Sequence, residues 1–89
     1  MSFTHAQIWG AIDDLARRQG ISPSGMARLS GLDPTAFNPS KRQSAAGRLR
    51  WPSTESIARL LDTLDMGFDD FARIVVQQVS ASGDTESLS

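Results

Sequence analysis

The sequence predicts a small all-α domain built from five helices. Helix-start signals recur along the chain, most closely at residues 22–23 and 33–34, where a capping side-chain oxygen precedes a proline suited to the first helical position. Apolar residues recur at helical spacing on either side of this central stretch. The 89 residues are 39% hydrophobic and include no cysteine, so stability depends on one small core without disulfides.

The first predicted helix runs from Thr4 to Gln19. Thr4 and Gln7 are spaced for a capping box, and Gly20 is the glycine expected just past the helix end. Apolar residues repeat along one face of this helix: Ile8, Ala11, Ile12, Leu15 and Ala16. His5 has no evident partner in the sequence and is expected to be exposed.

Two short helices are predicted next, the first from Pro23 and the second over residues 34–38. Gly31 lies between them and can adopt a positive φ without steric cost, which allows a sharp turn. The apolar residues of this stretch are expected to face inward: Met26, Ala27, Leu29, Leu32 and Phe37. This layout predicts a helix-turn-helix, a motif whose second helix enters the DNA major groove.

The segment that follows, residues 39–52, has no helical or strand period. Loops of this length are usually functional or disordered. We call residues 39–50 the basic loop, because they contain four cations and no acid: Lys41, Arg42, Arg48 and Arg50. Trp51 is expected to be a buried anchor that returns the chain to the core.

Two more helices complete the predicted fold, one capped by Ser53 and ending near Leu64, and the last beginning at Phe68. The last helix carries apolar residues around too wide an arc for one face, which favours a homodimer contact; the alternative is a run of β-branched core residues. The predicted interface residues are Phe71, Ile74, Val75 and Gln78. Residues 1–79 form the predicted DNA-binding domain, and the small, polar residues 80–89 a disordered linker.

Charge is unevenly distributed, although the net formal charge is only −1. Residues 1–15 carry −2, residues 16–50 carry +6 and residues 51–89 carry −5. Because charges beyond about 8 Å are largely screened at physiological salt, a polyanion would respond to the local positive block. A solvated surface of mixed charge is the alternative, but it would not segregate the signs in this way.

The spacing of Ala27, Gly31, Leu32 and Phe37 resembles the helix-turn-helix of lambda-repressor-like (XRE-type) transcriptional regulators. The longer stretches S-P-S-G-M-A-R-L-S-G-L-D-P-T-A-F-N-P-S-K-R and R-W-P-S-T-E-S-I-A are similar to the N-terminal domain of phage-repressor-like regulators that carry a LexA-like peptidase domain. The resemblance covers residues 3–79 and departs from the usual pattern at Pro23, Pro39 and Ser40. It implies a dimer contact through the last helix and a C-terminal peptidase-like domain after the linker.

These features predict a cytoplasmic, nucleoid-associated repressor that binds a near-palindromic double-stranded DNA operator as a homodimer. In this hypothesis Asn38 contacts an adenine edge, and Thr35 contacts a thymine methyl group or a phosphate. Arg28 either contacts a phosphate or pairs with Asp33, and the basic loop contributes much of the affinity. The predicted DNA contacts are Ser22, Ser24, Arg28, Thr35, Asn38, Ser40, Lys41, Arg42, Arg48 and Arg50.

An antitoxin-like module that shares the fold and binds a partner protein through its acidic C-terminal helices is the alternative function. Catalysis is not expected, because the acid pairs at residues 13–14 and 69–70 are sequence neighbours that point to different helix faces. One histidine and no cysteine leave little for a metal site. No cofactor, small-molecule substrate or membrane-spanning segment is predicted.

Overall fold

A computed structural model describes the backbone of residues 3–87 and the side chains of residues 3–78. Within this part of the chain the backbone forms no β-strand, only one isolated bridge between Gln43 and Leu49, which confirms the all-α prediction. A 3-10 helix at Pro39–Lys41 lies between the second and third α-helices. The α-helices are α1 (His5–Gln19), α2 (Pro23–Leu29), α3 (Thr54–Thr63) and α4 (Phe68–Ser87).

Local capping fixes where the helices begin and end. Thr4 and Gln7 exchange hydrogen bonds at the start of α1, and Gly20 ends that helix at a φ of 70°. Ser22 and Ser53 each accept a hydrogen bond of 3.0 Å from a backbone N–H in the first turn of α2 and of α3, respectively. The helix starts predicted from residues 4, 22, 53 and 68 are therefore confirmed.

The core forms where α1 packs against α4, with α2 and α3 closing its other sides. Its largest fully buried side chains come from every α-helix and from one turn: Phe37, Ile12, Leu15, Met26, Leu60, Leu61 and Val75. Phe37 is the member that lies outside the helices. It anchors the chain between α2 and the basic loop to the core.

The predicted helix over residues 34–38 is wrong, and with it the count of five α-helices. Backbone hydrogen bonds from Ala36 to Asp33 (2.9 Å) and from Asn38 to Thr35 (3.0 Å) make this segment a pair of turns. Pro39 explains the difference, because a proline disfavours the α conformation at the preceding residue. Asn38 is accordingly extended, with φ of −71° and ψ of 151°.

The predicted dimer interface on α4 is also wrong for its apolar members. Phe71, Ile74 and Val75 are at most 5% exposed, because they are buried in the core of their own chain. Gln78 lies against Gly10 of α1, where its side-chain oxygen would be only 3.0 Å from an added Cβ. Small residues on α1 let α4 approach closely, so Phe71, Ile74 and Val75 are covered within one molecule, while Phe68 and Val76 stay exposed.

α4 extends to Ser87, past the predicted linker start at Ser80, so residues 80–87 are helical rather than irregular. No proline lies in this stretch to stop the helix at the last core residue. The last two residues of the predicted linker lie outside the described part. Among the described helices, none is long and apolar enough to cross a membrane.

Candidate nucleic-acid interface

The lysines and arginines separate into two groups by their ion pairs. Five arginines pair with carboxylates: Arg17 and Arg18 with Asp14, Arg42 with Asp13, Arg59 with Glu55, and Arg73 with Asp69 and Asp70. The other four cations have no carboxylate within 4.0 Å among the side chains of residues 3–78: Arg28, Lys41, Arg48 and Arg50. All four had been predicted to contact DNA, and three of them lie in the basic loop.

Arg42 is the predicted DNA contact that the structure removes from the surface. Its guanidinium forms two hydrogen bonds with Asp13 of α1 (2.7 and 2.8 Å) and one with the carbonyl oxygen of Phe37 (2.8 Å). It also lies over the indole ring of Trp9, 4.7 Å from the ring centroid. With only 17% of its side chain exposed, Arg42 makes a structural contact within the chain, and the surface that it was expected to offer to DNA is largely taken up by that contact.

Two aromatic side chains of α1 hold the ends of the basic loop. Nε2 of His5 donates to the carbonyl oxygens of Arg42 (2.8 Å) and Arg50 (2.9 Å), and Nε1 of Trp9 donates to the same Arg50 oxygen (2.9 Å). The backbone N–H of Arg50 also bonds the carbonyl of Arg42 at 2.8 Å. His5 is therefore half-buried and bonded, contrary to the expectation of an exposed residue.

Between these ends the basic loop folds back on itself. Ser44 N–H donates to the carbonyl of Arg48, and Gly47 N–H donates to the carbonyl of Ser44, both at 2.9 Å. Gly47 has a φ of 83°, a conformation that other residues rarely adopt, and this tight turn closes the loop. Hydrogen bonds to α1 fix the ends of the basic loop, and hydrogen bonds within residues 44–48 fix its middle. The exposed cations Arg48 and Arg50 are therefore carried by an ordered loop.

Trp51 is exposed, which contradicts the prediction of a buried anchor. It is 54% exposed, and its ring makes a T-shaped contact with the ring of His5, with the centroids 5.9 Å apart. Trp9, by contrast, is 3% exposed and takes the anchoring role. Trp51 borders a cleft of about 340 Å³ whose other lining residues include Asp33, Thr35, Lys41 and Arg50.

In the turn over residues 33–38, Thr35 and Asp33 are hydrogen-bonded to each other. Both the N–H and the hydroxyl of Thr35 donate to Oδ1 of Asp33, at 2.8 and 2.6 Å. Both bonds lower the pKa of Asp33, and the bond from the Thr35 hydroxyl has the larger effect. The charge of nearby Lys41 lowers this pKa further, by a smaller amount. Arg28 therefore does not pair with Asp33. Asn38 is half-buried.

The predicted serine contacts occupy different positions. The Ser22 hydroxyl caps α2, whereas Ser24 is half-buried and Ser40 is exposed in the 3-10 helix. Sequence reasoning missed three residues that build the site: His5, Asp13 and Trp51. Asp13 was counted only as a charge near the N-terminus, and nothing local in the sequence links it to Arg42, 29 positions later.

No protein-family model, curated protein or solved structure matches the chain. The site is therefore interpreted from its geometry. Metal coordination finds no support in the part of the chain described here. There, no three histidine, cysteine or acidic side chains are grouped so that they could hold an ion.

Proposed function

We propose that this chain is a sequence-specific DNA-binding transcriptional repressor. The observation that carries the proposal is the separation of the cations into paired arginines and four unpaired ones. The two charges of an ion pair largely cancel, whereas an unpaired cation attracts a phosphate that comes within a Debye length, about 8 Å at physiological salt. The four unpaired cations Arg28, Lys41, Arg48 and Arg50 therefore dominate what a polyanion would encounter.

In this proposal α2 and the turn over residues 33–38 take the place of a helix-turn-helix. The turn presents Thr35 and Asn38 toward the major groove, where Asn38 contacts an adenine edge. The Thr35 hydroxyl already donates to Asp33, so Thr35 acts through its methyl group against a thymine methyl. Arg28 and the basic loop hold the phosphate backbone on either side of this turn.

Dimerisation remains part of the proposal, on a different surface from the one predicted first. Among the α4 residues up to 78, whose side chains the structure describes, Phe68 and Val76 are the exposed large apolar ones, at 53% and 37% exposure, and we assign the contact with a second copy to them. A dimer would bind a near-palindromic site with half-sites about one helical turn, or ~34 Å, apart. Sedimentation of the Val76→Glu variant tests this surface and should give a monomer.

Selection of bound duplexes from a random-sequence pool is the decisive test of DNA recognition. We expect a near-palindromic consensus in about 150 mM salt. Four phosphate contacts per protomer predict a log–log salt slope of roughly −7 for the dimer. A selection that returns no consensus, with no retained duplex even at about 50 mM salt, would overturn the proposal and favour a protein-binding module instead.

A further inference from the structure

The cleft beside the turn after α2 suggests a defined place for one part of the DNA backbone. It measures about 340 Å³ and is bordered by Trp51, Lys41 and Arg50. The two cations have no ion pair among the described side chains, and both are exposed. A cleft that combines two such cations with an aromatic face matches a ligand with an anionic part joined to an apolar part.

Trp51 is held in place although it is exposed. Its ring meets the edge of His5 at 5.9 Å, and His5 is itself fixed by bonds to the two ends of the basic loop. Pro52 follows directly and restricts the backbone. Trp51 is 54% exposed, so its indole presents an apolar face to a ligand in the cleft.

The negative charge of Asp33 limits how much negative charge a ligand in the cleft can carry. Its carboxylate lines the same cleft and keeps its charge, since the hydrogen bonds from Thr35 lower its pKa. One negative charge beside two positive ones leaves a net charge of +1, which suits a singly charged phosphodiester better than a di- or triphosphate. The flat apolar surface of Trp51 then suits the deoxyribose attached to that phosphate.

We propose that this cleft binds one phosphodiester of the DNA backbone, with the phosphate between Lys41 and Arg50 and the adjoining deoxyribose against Trp51. This inference rests on the proposed function and adds Trp51 to the DNA contacts. It also gives Lys41 a specific role, the contact with a backbone phosphate.

Fluorine NMR of the protein labelled with 5-fluorotryptophan tests the inference. The chain contains two tryptophans, of which Trp9 is buried and Trp51 is exposed, so each should give its own signal. The Trp51→Phe variant assigns the two signals. A 20-base-pair random-sequence duplex in about 50 mM salt serves as the probe, since backbone contacts do not require an operator. We expect the Trp51 signal to shift on binding by more than that of Trp9, which also lines the cleft but is only 3% exposed.

Charge variants provide the second readout. Removing both cations in Lys41→Gln/Arg50→Gln should reduce the magnitude of the salt slope by about one per protomer, because the two cations hold a single phosphate, and the Trp51 shift should be lost as well. Arg73→Gln is the matched control, since Arg73 is exposed but paired with two aspartates on α4. This control should change neither the slope nor the fluorine signal.

The outcomes separate the two proposals. If fluorescence anisotropy of the labelled duplex shows binding but the Trp51 signal does not move, this inference is overturned and the proposed function stands. If the duplex does not bind at all, both are overturned. If inorganic phosphate at the same ionic strength shifts Trp51 as much as the duplex does, the cleft is a general anion site and the deoxyribose contact is wrong.

Discussion

Arg42 and Arg48 lie six residues apart in the basic loop and have opposite environments. The guanidinium of Arg42 is bonded to Asp13 and to the Phe37 carbonyl over the face of Trp9. Arg48 is exposed at the other end of the loop, with no carboxylate partner among the described side chains. One arginine holds the loop to α1, and the other is free to meet a ligand.

The comparison teaches that a cluster of cations is not one functional unit. Four cations in twelve residues predict a uniformly basic surface, yet the fold uses one of them to order the other three. An ordered loop loses less conformational entropy when it binds DNA than a mobile one would. The Arg42 contacts therefore support binding indirectly, and substitutions at the two arginines should separate stability from affinity.

The largest expected effect is that of Arg42→Met on stability. The variant keeps an apolar stem over Trp9 but loses three charge-assisted hydrogen bonds, leaving Asp13 and the Phe37 carbonyl without their donor. Asp13 is partly exposed and can be rehydrated, and the variant also removes a buried Nε–H that has no acceptor, so we expect a loss of about 2 kcal/mol. Urea unfolding measures it.

Two further variants provide a control and an intermediate case for the Arg42→Met measurement. Arg73→Met removes two exposed ion pairs, with Asp69 and Asp70, and should cost less than about 0.5 kcal/mol of stability. Asp13→Asn should fall between the two, since the amide oxygen still accepts one of the bonds from Arg42. If Arg42→Met unfolds at the same urea concentration as the original chain, Arg42 does not anchor the loop.

Asn38→Ala is expected to affect recognition of a single base pair. Its side chain provides no hydrogen bond to cap the 3-10 helix that follows, so stability should hardly change. The loss of a bidentate contact should reduce discrimination at one operator position by ~1–3 kcal/mol. Competition binding with single-substitution operators measures this. An equal loss of affinity for every sequence would instead place Asn38 at the backbone.

Arg48→Gln should weaken binding uniformly across sequences. An exposed cation that contacts a phosphate contributes through the release of a counterion, so the magnitude of the salt slope should fall by about one per protomer. Arg48→Lys retains the charge and should retain the slope, which distinguishes a phosphate contact from bidentate reading of guanine. Gel-shift titrations over a range of salt concentrations provide the test.

The smallest expected effect concerns the titration of Asp33. Its pKa is lowered in the folded chain, so its interaction with Thr35 stabilises the fold above the unfolded pKa, near 4. This contribution is lost as the pH falls through the folded value. Thr35→Val removes the hydroxyl donor and should raise the pKa of Asp33 toward its ordinary value, as followed by NMR. An unchanged titration would mean that the backbone N–H alone is responsible.

Local signals in the sequence were sufficient for most of the fold. The caps at Thr4, Ser22 and Ser53 and the glycine at position 20 predicted helix boundaries correctly, because each depends on neighbours within a few residues. The turn over residues 34–38 was predicted as a helix because Asp33 and Pro34 form a valid start signal. Pro39, five residues later, left too little chain for an α-helix to form.

The sequence predicted that the candidate site is rich in cations, but not which side chains are paired, buried or exposed. Residue order and local backbone preferences account for the concentration of cations in the middle of the chain and for the four α-helices that form, although the same reasoning added a fifth helix that does not form. Tertiary packing set the inward turn of Arg42 to Asp13, the exposure of Trp51 in place of Trp9, and the burial of Phe71, Ile74 and Val75. Those outcomes depend on which side chains of distant segments meet, and no local pattern specifies such contacts.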